Sequence, residues 1–589
     1  MALPGLEQAQ SLPQAFFATA DRIPDRPAQW RRQNAGYTPV SYRKLADRVR
    51  RVASALIRAG VAPGERVALL MENRPEWAVA DYAIMSIGAV TVPLYCSFGA
   101  DDMAYVLQDS GAAVAIALGE RLTSTLMEAL DACPSVRSVY AVPQPGGDAR
   151  LHAFDELEQV PVDAAALASR LQPLTRQTLA TLVYTSGTTG HLKGVMLSHG
   201  NFLANLETVP AIVRFEEEDR MLSVLPLAHS LERFASHFMP YSFGLSVAFA
   251  ERPGTISRDL AESAPSLMIA VPRLLEVMRE RVMSRMARQP SFVQRVFHTY
   301  LVLAQRRRDD GLSAMARLGR HILDRTLGRA VRARFGGRLR LLVSGGAPLG
   351  SDVGAFFEAL GLPVLEGYGL TESASLVSVN SVDARRAGTV GRPVRGVSVR
   401  LAADGEILVQ GGNIMQGYWQ QREMTETALV DGWFHTGDVG RLDTDGYLYI
   451  TDRKKDIIVN SGGKNIAPQR IEHLLMADAM IEQAVVYGDR RPYLVALIVP
   501  AREQCLGWAE KGGMSSLPWS ELVVSEPLKR VLQQRVWEVL RHLSRHEQVR
   551  RIAVHDVPFS VDDGLMTPTL KIRRHRVYER FREIFEGLY

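Results

Sequence analysis

The chain has 589 residues, 47% of them hydrophobic and 23% charged, and carries a net charge of +5. That is material for about three to four domain-sized units with large cores, and it excludes disordered, collagen-like and disulfide-scaffold classes. Cys96, Cys133 and Cys505 have neither metal nor disulfide spacing, which fits a reducing cytoplasm, and residues 1–17 lack the basic start of a signal peptide.

In chain order, residues 42–56 have the apolar spacing of an amphipathic helix and precede a strand-like run at 66–71. Apolar runs at 89–92, 113–117, 182–184, 339–343 and 362–365 follow, several of them separated by helical stretches. Such alternation argues for parallel sheets covered by helices. Residues 82–100 hold no charge over nineteen positions, but Gly88, Pro93 and Gly99 interrupt them. A buried helix end, a turn and a strand are expected there rather than a membrane span. Residues 271–340 contain seventeen arginines, no lysine and five acids, a balance of +12 that leaves −7 for the other 519 residues. Helically spaced apolar positions between Val282 and Leu303 predict a helical insertion at 276–340, and its charge points to an anionic partner. No nucleic-acid recognition motif accompanies the arginines, so nucleic acid is not expected.

After Gly388 the texture changes to short strands at 399–401, 406–410, 433–435 and 447–451, joined by Asp-Gly and Gly-Tyr turns. A small β subdomain is expected over 388–452, and the charged cluster 452–456 leads into a last α/β unit. The fold class expected is therefore α/β. Residues 1–453 form a large N-terminal domain of parallel sheets covered by helices plus the β subdomain, and 454–589 form a small C-terminal α/β domain.

The chemistry is concentrated in loops. Tyr184-Thr-Ser-Gly-Thr-Thr-Gly-His-Leu-Lys-Gly-Val195 sets Ser186, Gly187, Thr188, Thr189 and Gly190 shortly before Lys193. Glycines let backbone N–H groups approach phosphate oxygens, hydroxyls add donors, and lysine supplies a compact positive charge. No Gly-Lys-Ser/Thr closes the loop, so it is not a Walker A loop. Six further segments follow: Leu225-Pro-Leu-Ala-His229, Ser344-Gly-Gly-Ala-Pro-Leu349, Glu366-Gly-Tyr-Gly-Leu-Thr-Glu-Ser373, Trp433-Phe-His-Thr-Gly-Asp-Val439, Asp452-Arg-Lys-Lys-Asp-Ile457 and Thr567-Pro-Thr-Leu-Lys-Ile-Arg573.

In order and approximate spacing these segments resemble the adenylate-forming (AMP-binding) enzymes, which include acyl- and aryl-CoA synthetases, luciferases and peptide-synthetase adenylation domains. The resemblance implies a site for ATP, in which Thr185 to Lys193 hold the phosphates that leave as pyrophosphate. It implies Thr371 at the α-phosphate, Glu372 with Thr188 as Mg²⁺ ligands, and Tyr368 as the platform under adenine. Gly345, Gly346, Ala347 and Pro348 would run along the base, within a nucleotide site that also includes Glu366, Gly367 and Gly369. Asp438 is implied as the acceptor of the ribose hydroxyls, reinforced by Arg453. Lys571 is implied as the catalytic lysine that bridges carboxylate and α-phosphate during adenylation, although Leu570 replaces the glycine commonest before it. For the second half-reaction it implies a mobile C-terminal domain with its hinge at Lys455, and Ser461, Gly462 and Gly463 at the CoA channel. His229 falls where the family places a wall or gate of the acyl site; a carboxylate needs no general base at pH 7.

The wording around 225–233, 268–276 and Lys571, with the helical insertion, is similar to the long-chain fatty acid–CoA ligase branch. This implies a fatty acid, ATP and CoA as substrates, Mg²⁺ as cofactor, and a cytoplasmic protein peripheral on the inner face of an anionic membrane. Transfer to a carrier protein, or a non-catalytic acyl-nucleotide-binding scaffold, are the alternatives. Chain length and oligomeric state, a homodimer included, stay open.

Overall fold

The computed structural model describes residues 6–33, 36–142, 148–186, 192–305, 314–454, 456–461, 464–512, 517–561, 563–567 and 572–589. The chain divides into two compact units, one of residues 1–400, 408–436 and 443–448, the other of 401–407, 437–442 and 449–589.

Two large sheets organise the first unit. Among the described residues one has eight strands, six of them joined side by side in parallel, with Arg66–Met71 and Val90–Pro93 at its centre. The other has nine, with Leu267–Ala270, Leu341–Ser344 and Val364–Tyr368 parallel in its middle. The reason such strands read as unbroken apolar runs is that both faces are buried. Val67 and Leu69 point into one core cluster, while Ala68 and Leu70 point into another on the opposite face.

The helix Tyr42–Arg58 begins where Ser41 Oγ accepts the Lys44 N–H, and it buries Leu45, Val49, Val52 and Leu56 at helical spacing. The helix Pro75–Ser86 is buried along its whole length. It ends at a left-handed Gly88 (φ +74°) before the strand Val90–Pro93, so the uncharged run is a helix end, turn and strand as its punctuation indicates. Among the described residues no helix is long and apolar enough to cross a membrane.

The arginine-rich segment is helical at Pro272–Ala287, Ser291–Gln305, Ala314–Leu323 and Arg329–Ala333. Part of what it presents in sequence is turned inward. Phe297 and Tyr300 join the core cluster of Leu342 and Phe357, and Arg279, Arg332 and Arg340 pair with Asp352, Asp324 and Asp219. Phe292, Leu318 and Ile322 remain exposed.

The second unit contains a three-stranded sheet whose middle strand, Leu494–Pro500, is buried throughout. Ala496 and Ile498 face a cluster with the helices Pro468–Met476 and Glu526–Leu540. Val495, Leu497 and Val499 face another that includes Val577 and Phe585 near the C-terminus. That period-two division between two apolar layers is why this strand, too, reads as continuous.

Candidate active site

The strands on either side of the phosphate-type loop pair antiparallel. Leu179–Ser186 and Leu192–Ser198 pair with Thr185 opposite Lys193 and Ser186 opposite Leu192. Gly187, Thr188, Thr189 and Gly190 lie outside the described residues. This register fixes Lys193 at the base of the loop. Thr185 Oγ1, beside it, is buried without a hydrogen-bond partner among the described residues.

Lys193 Nζ donates to Glu372 Oε1 at 3.0 Å and to Tyr418 Oη at 2.7 Å, and Tyr418 Oη donates to the same carboxylate oxygen at 2.9 Å. Tyr418 reaches this position because Gly417–Tyr418 pairs with the outer edge of the hairpin, opposite Met196 and Val195. Burial by itself would raise the Glu372 pKa, but the Lys193 charge and these hydrogen bonds hold it below the usual carboxylate value. Glu372 is therefore an ionised, hard-oxygen group with both side-chain contacts on one oxygen. Among the described residues no cluster of three acidic, histidine or cysteine side chains is poised to cage a metal. A single carboxylate of this kind fits Mg²⁺, which is commonly held by one or two carboxylates together with substrate phosphates.

Thr371, next to Glu372, lies 3.3 Å through its hydroxyl from Ser230 Oγ. Gly345 to Pro348 follow the strand Leu341–Ser344, and Glu366, Gly367 and Tyr368 end the neighbouring parallel strand, so both segments emerge at the same edge. Tyr368 is half-buried. Burial pushes the Glu366 pKa up to about 7. Gly369 is required by close approach, because a Cβ there would collide with the backbone of Ser375.

His229 is the N-cap of the helical segment Ser230–Arg233, and its Nδ1 accepts the Leu231 N–H at 3.2 Å. The proton of the neutral ring is therefore on Nε2. The helix continues through a π-turn at Phe234–Phe238 to Met239–Phe243. Leu231, Phe234, Ala235 and Met239 face a cavity completed by Phe215, Met221, Met268 and Leu376, among others. Its volume is about 90 Å³.

On another side of this helix Arg233 is fully buried. It donates to Asp81 from Nε at 3.0 Å and from Nη2 at 2.5 Å, and to Thr181 Oγ1 at 2.7 Å. Asp81 also meets His237 Nε2 at 2.9 Å and Thr91 Oγ1 at 2.7 Å. Burial opposes the Asp81 charge, yet Arg233 above all holds its pKa down at about 2. Burial also lifts the adjacent Glu232 to about 7.

In the second unit Arg453 Nε donates to Asp438 Oδ1 at 3.1 Å, across neighbouring strands. Asp438 is buried and Arg453 exposed. Ser461 is exposed, between the paired strands Ile458–Val459 and Asn465–Ile466. Gly462, Gly463, Lys455 and Lys571 lie outside the described residues; Met566 and Ile572, flanking Lys571, pair antiparallel.

The geometry thus brings Lys193 to Glu372 and Asp438 to Arg453. Sequence reasoning missed Tyr418 and the Asp81–Arg233 pair. Asp81 did carry a signal, as an acid in the middle of a helix that is apolar beyond its first turn and must find it a partner.

The AMP-binding enzyme family model matches residues 16–419, and the AMP-binding enzyme C-terminal domain model matches residues 455–589. The chain belongs to the AMP-binding enzyme family. Relatives in the family include long-chain-fatty-acid–CoA ligase FadD15 of Mycobacterium bovis, 36% identical over 94% of this chain and 92% of that protein. Long-chain-fatty-acid–CoA ligase 5 of Rattus norvegicus is 31% identical over 95% of this chain and 85% of its own length. The fold is also that of O-succinylbenzoate coenzyme A synthetase from Bacillus subtilis in complex with AMP. The TM-score is 0.69 at 22% identity, with 96% of this chain and 97% of that one covered.

Proposed function

We propose that the protein is an ATP-dependent long-chain fatty acid–CoA ligase that forms an acyl-adenylate and then an acyl-CoA. The observation that carries this reading is an apolar cavity lined by Leu231 and Ser375, close in the chain to residues that touch or adjoin Thr371. Ser230 meets Thr371 while the next residue, Leu231, lines the cavity. The names and coverage of the relatives agree with it. At about 90 Å³ the cavity is narrower than the 300–1,000 Å³ usual for small-molecule pockets, so its walls must yield to a long chain. Met221, Met239 and Met268 are unbranched, adaptable side chains suited to this.

In the first half-reaction a carboxylate oxygen attacks the α-phosphorus of ATP, the bond to the β-phosphate oxygen breaks, and pyrophosphate leaves with the electron pair. Lys193 with the 187–191 loop would hold the departing phosphates, Thr371 the α-phosphate, and Lys571 the charge between the two reacting anions. Glu372, with Thr188, would hold Mg²⁺, which supplies neutralising charge among phosphate oxygens. Tyr368 with Gly345 to Pro348 would seat adenine, and Asp438 with Arg453 the ribose. In the second half-reaction the CoA sulfur attacks the acyl carbon and AMP leaves. Lys455 would be the hinge between domains 1–453 and 454–589, and Ser461 to Gly463 would meet the pantetheine arm.

Pyrophosphate release should depend on a long-chain acid, and thioester should appear only with CoA. Thioester formed with a holo-carrier protein but not with CoA would replace this reading by carrier loading. We also propose peripheral docking on an anionic membrane through the 276–340 helices. It is supported by exposed Phe292, Leu318 and Ile322 in a segment with exposed Arg295 and Arg325. Each basic residue at such a surface contributes about 1 kcal/mol. Replacing Arg306, Arg307 and Arg308 by glutamine should therefore reduce co-sedimentation with anionic vesicles, and unchanged binding would reject the docking role.

A further inference from the structure

Among the described residues that line the cavity of Leu231, Ser375 is the one that is not apolar. Ser375 is 7% exposed, and its Oγ has no hydrogen-bond partner among the described residues. A buried hydroxyl left unpaired is costly, so its presence in an otherwise apolar lining calls for a partner that arrives with the ligand. Its place along the cavity follows from its contacts. The Ser375 N–H donates to Leu370 O at 2.9 Å, and the Ser375 carbonyl packs against Gly369. These contacts fold Ser375 back onto Leu370, the residue before Thr371, where the proposed ligase reading puts the acyl carboxylate. Its backbone is left-handed at φ +86°, following Ala374 at φ +47°, so two consecutive non-glycine residues hold this turn.

We propose that Ser375 is a specificity-determining residue whose hydroxyl pairs with an oxygen substituent on the acyl chain near its carboxyl end. The preferred substrates are then 2- or 3-hydroxy or 3-oxo long-chain acids. This rests on the fatty acid–CoA ligase reading and deepens it. A plain chain displaces water from Ser375 Oγ and leaves the hydroxyl unpaired. A hydroxylated chain restores the bond, as sites built to hydrogen-bond a substrate oxygen do.

The test compares kcat/KM for hexadecanoic acid and its 2-, 3- and 16-hydroxy derivatives in the wild type and in Ser375→Ala, by pyrophosphate release. The substitution should raise the value for hexadecanoic acid and lower it for the 2- or 3-hydroxy acid. Their ratio should shift by at least about tenfold, the lower end of the sum of one hydrogen bond lost and one unpaired hydroxyl removed. The 16-hydroxy acid should follow the plain chain. Ser375→Gly, which suits the left-handed backbone, should reproduce the same crossing and separates the hydroxyl from any effect of conformation. Parallel changes on all four acids in both variants would overturn the proposal and make Ser375 a structural or carboxylate-facing residue. Release of pyrophosphate with none of the acids would instead remove the ligase reading on which the proposal rests.

Discussion

Two ion pairs of the large unit have the same charges and opposite surroundings. Asp81 and Arg233 are sealed, with 0% exposure on both side chains, and each Asp81 oxygen has two partners supplied from within the fold. Lys193 and Glu372 keep 20% and 11% exposure, share one carboxylate oxygen with Tyr418, and stand at the base of the phosphate hairpin. The first pair ties the cavity helix to the strands Val90–Pro93 and Leu179–Ser186 through Thr91 and Thr181. The second holds opposite charges together where phosphates and a metal would compete for them. One pair is complete without a ligand; the other has charge to offer one.

The largest effect should come from breaking the sealed pair. Asp81→Asn leaves the buried Arg233 charge without its counter-ion and should cost about 3–5 kcal/mol in urea unfolding. A loss below about 1 kcal/mol, the scale of an exposed pair, would mean that water reaches this cluster.

Glu372→Gln makes the opposite kind of change. It should lower turnover by about 10²–10³-fold, the scale of removing one preorganised electrostatic group, while stability changes by about 1 kcal/mol or less. Unchanged turnover and magnesium dependence would place the metal elsewhere.

Two further substitutions ask which half-reaction the open site serves. Lys571→Ala should abolish most adenylation yet leave conversion of pre-formed acyl-adenylate and CoA intact, because the role proposed for its charge is confined to the step in which pyrophosphate leaves. Lys455→Pro should do the converse by fixing φ at the proposed hinge. Equal losses in both assays would remove the respective roles.

The smallest effect is in acid. With an unfolded value near 3.8 and a folded value of about 2, Asp81 binds its proton less readily in the native state. It therefore contributes on the order of 2 kcal/mol of stability above pH 4, and this is lost as pH falls through 3.8 towards 2. Because the pair is sealed, added salt should barely alter that contribution, whereas strong salt dependence would contradict full burial.

The sequence carried the architecture wherever the signal was local. The runs at 66–71 and 113–117 are strands because their flanking helices bury both faces, and Gly88 ends a helix where the uncharged stretch suggested it. The charge of 271–340 was legible, its disposition was not. Arginines destined for Asp219, Asp324 and Asp352 look in sequence like those left on the surface. Leu225 to Arg233 was read for family wording alone, and only packing revealed Arg233 as the counter-ion of an aspartate 152 positions earlier.

By itself, the sequence determined the order of the segments proposed to meet phosphate, adenine and ribose and to supply the C-terminal lysine. Each is a contiguous backbone pattern whose residue types answer to the charge and shape they must meet. Only the tertiary structure decided that Lys193 meets Glu372 and Tyr418, which lie 179 and 225 positions away, and that Ser375 lines an apolar cavity. Such meetings depend on strand register and helix packing, which bring distant residues within hydrogen-bond reach, and no local period in a chain encodes them.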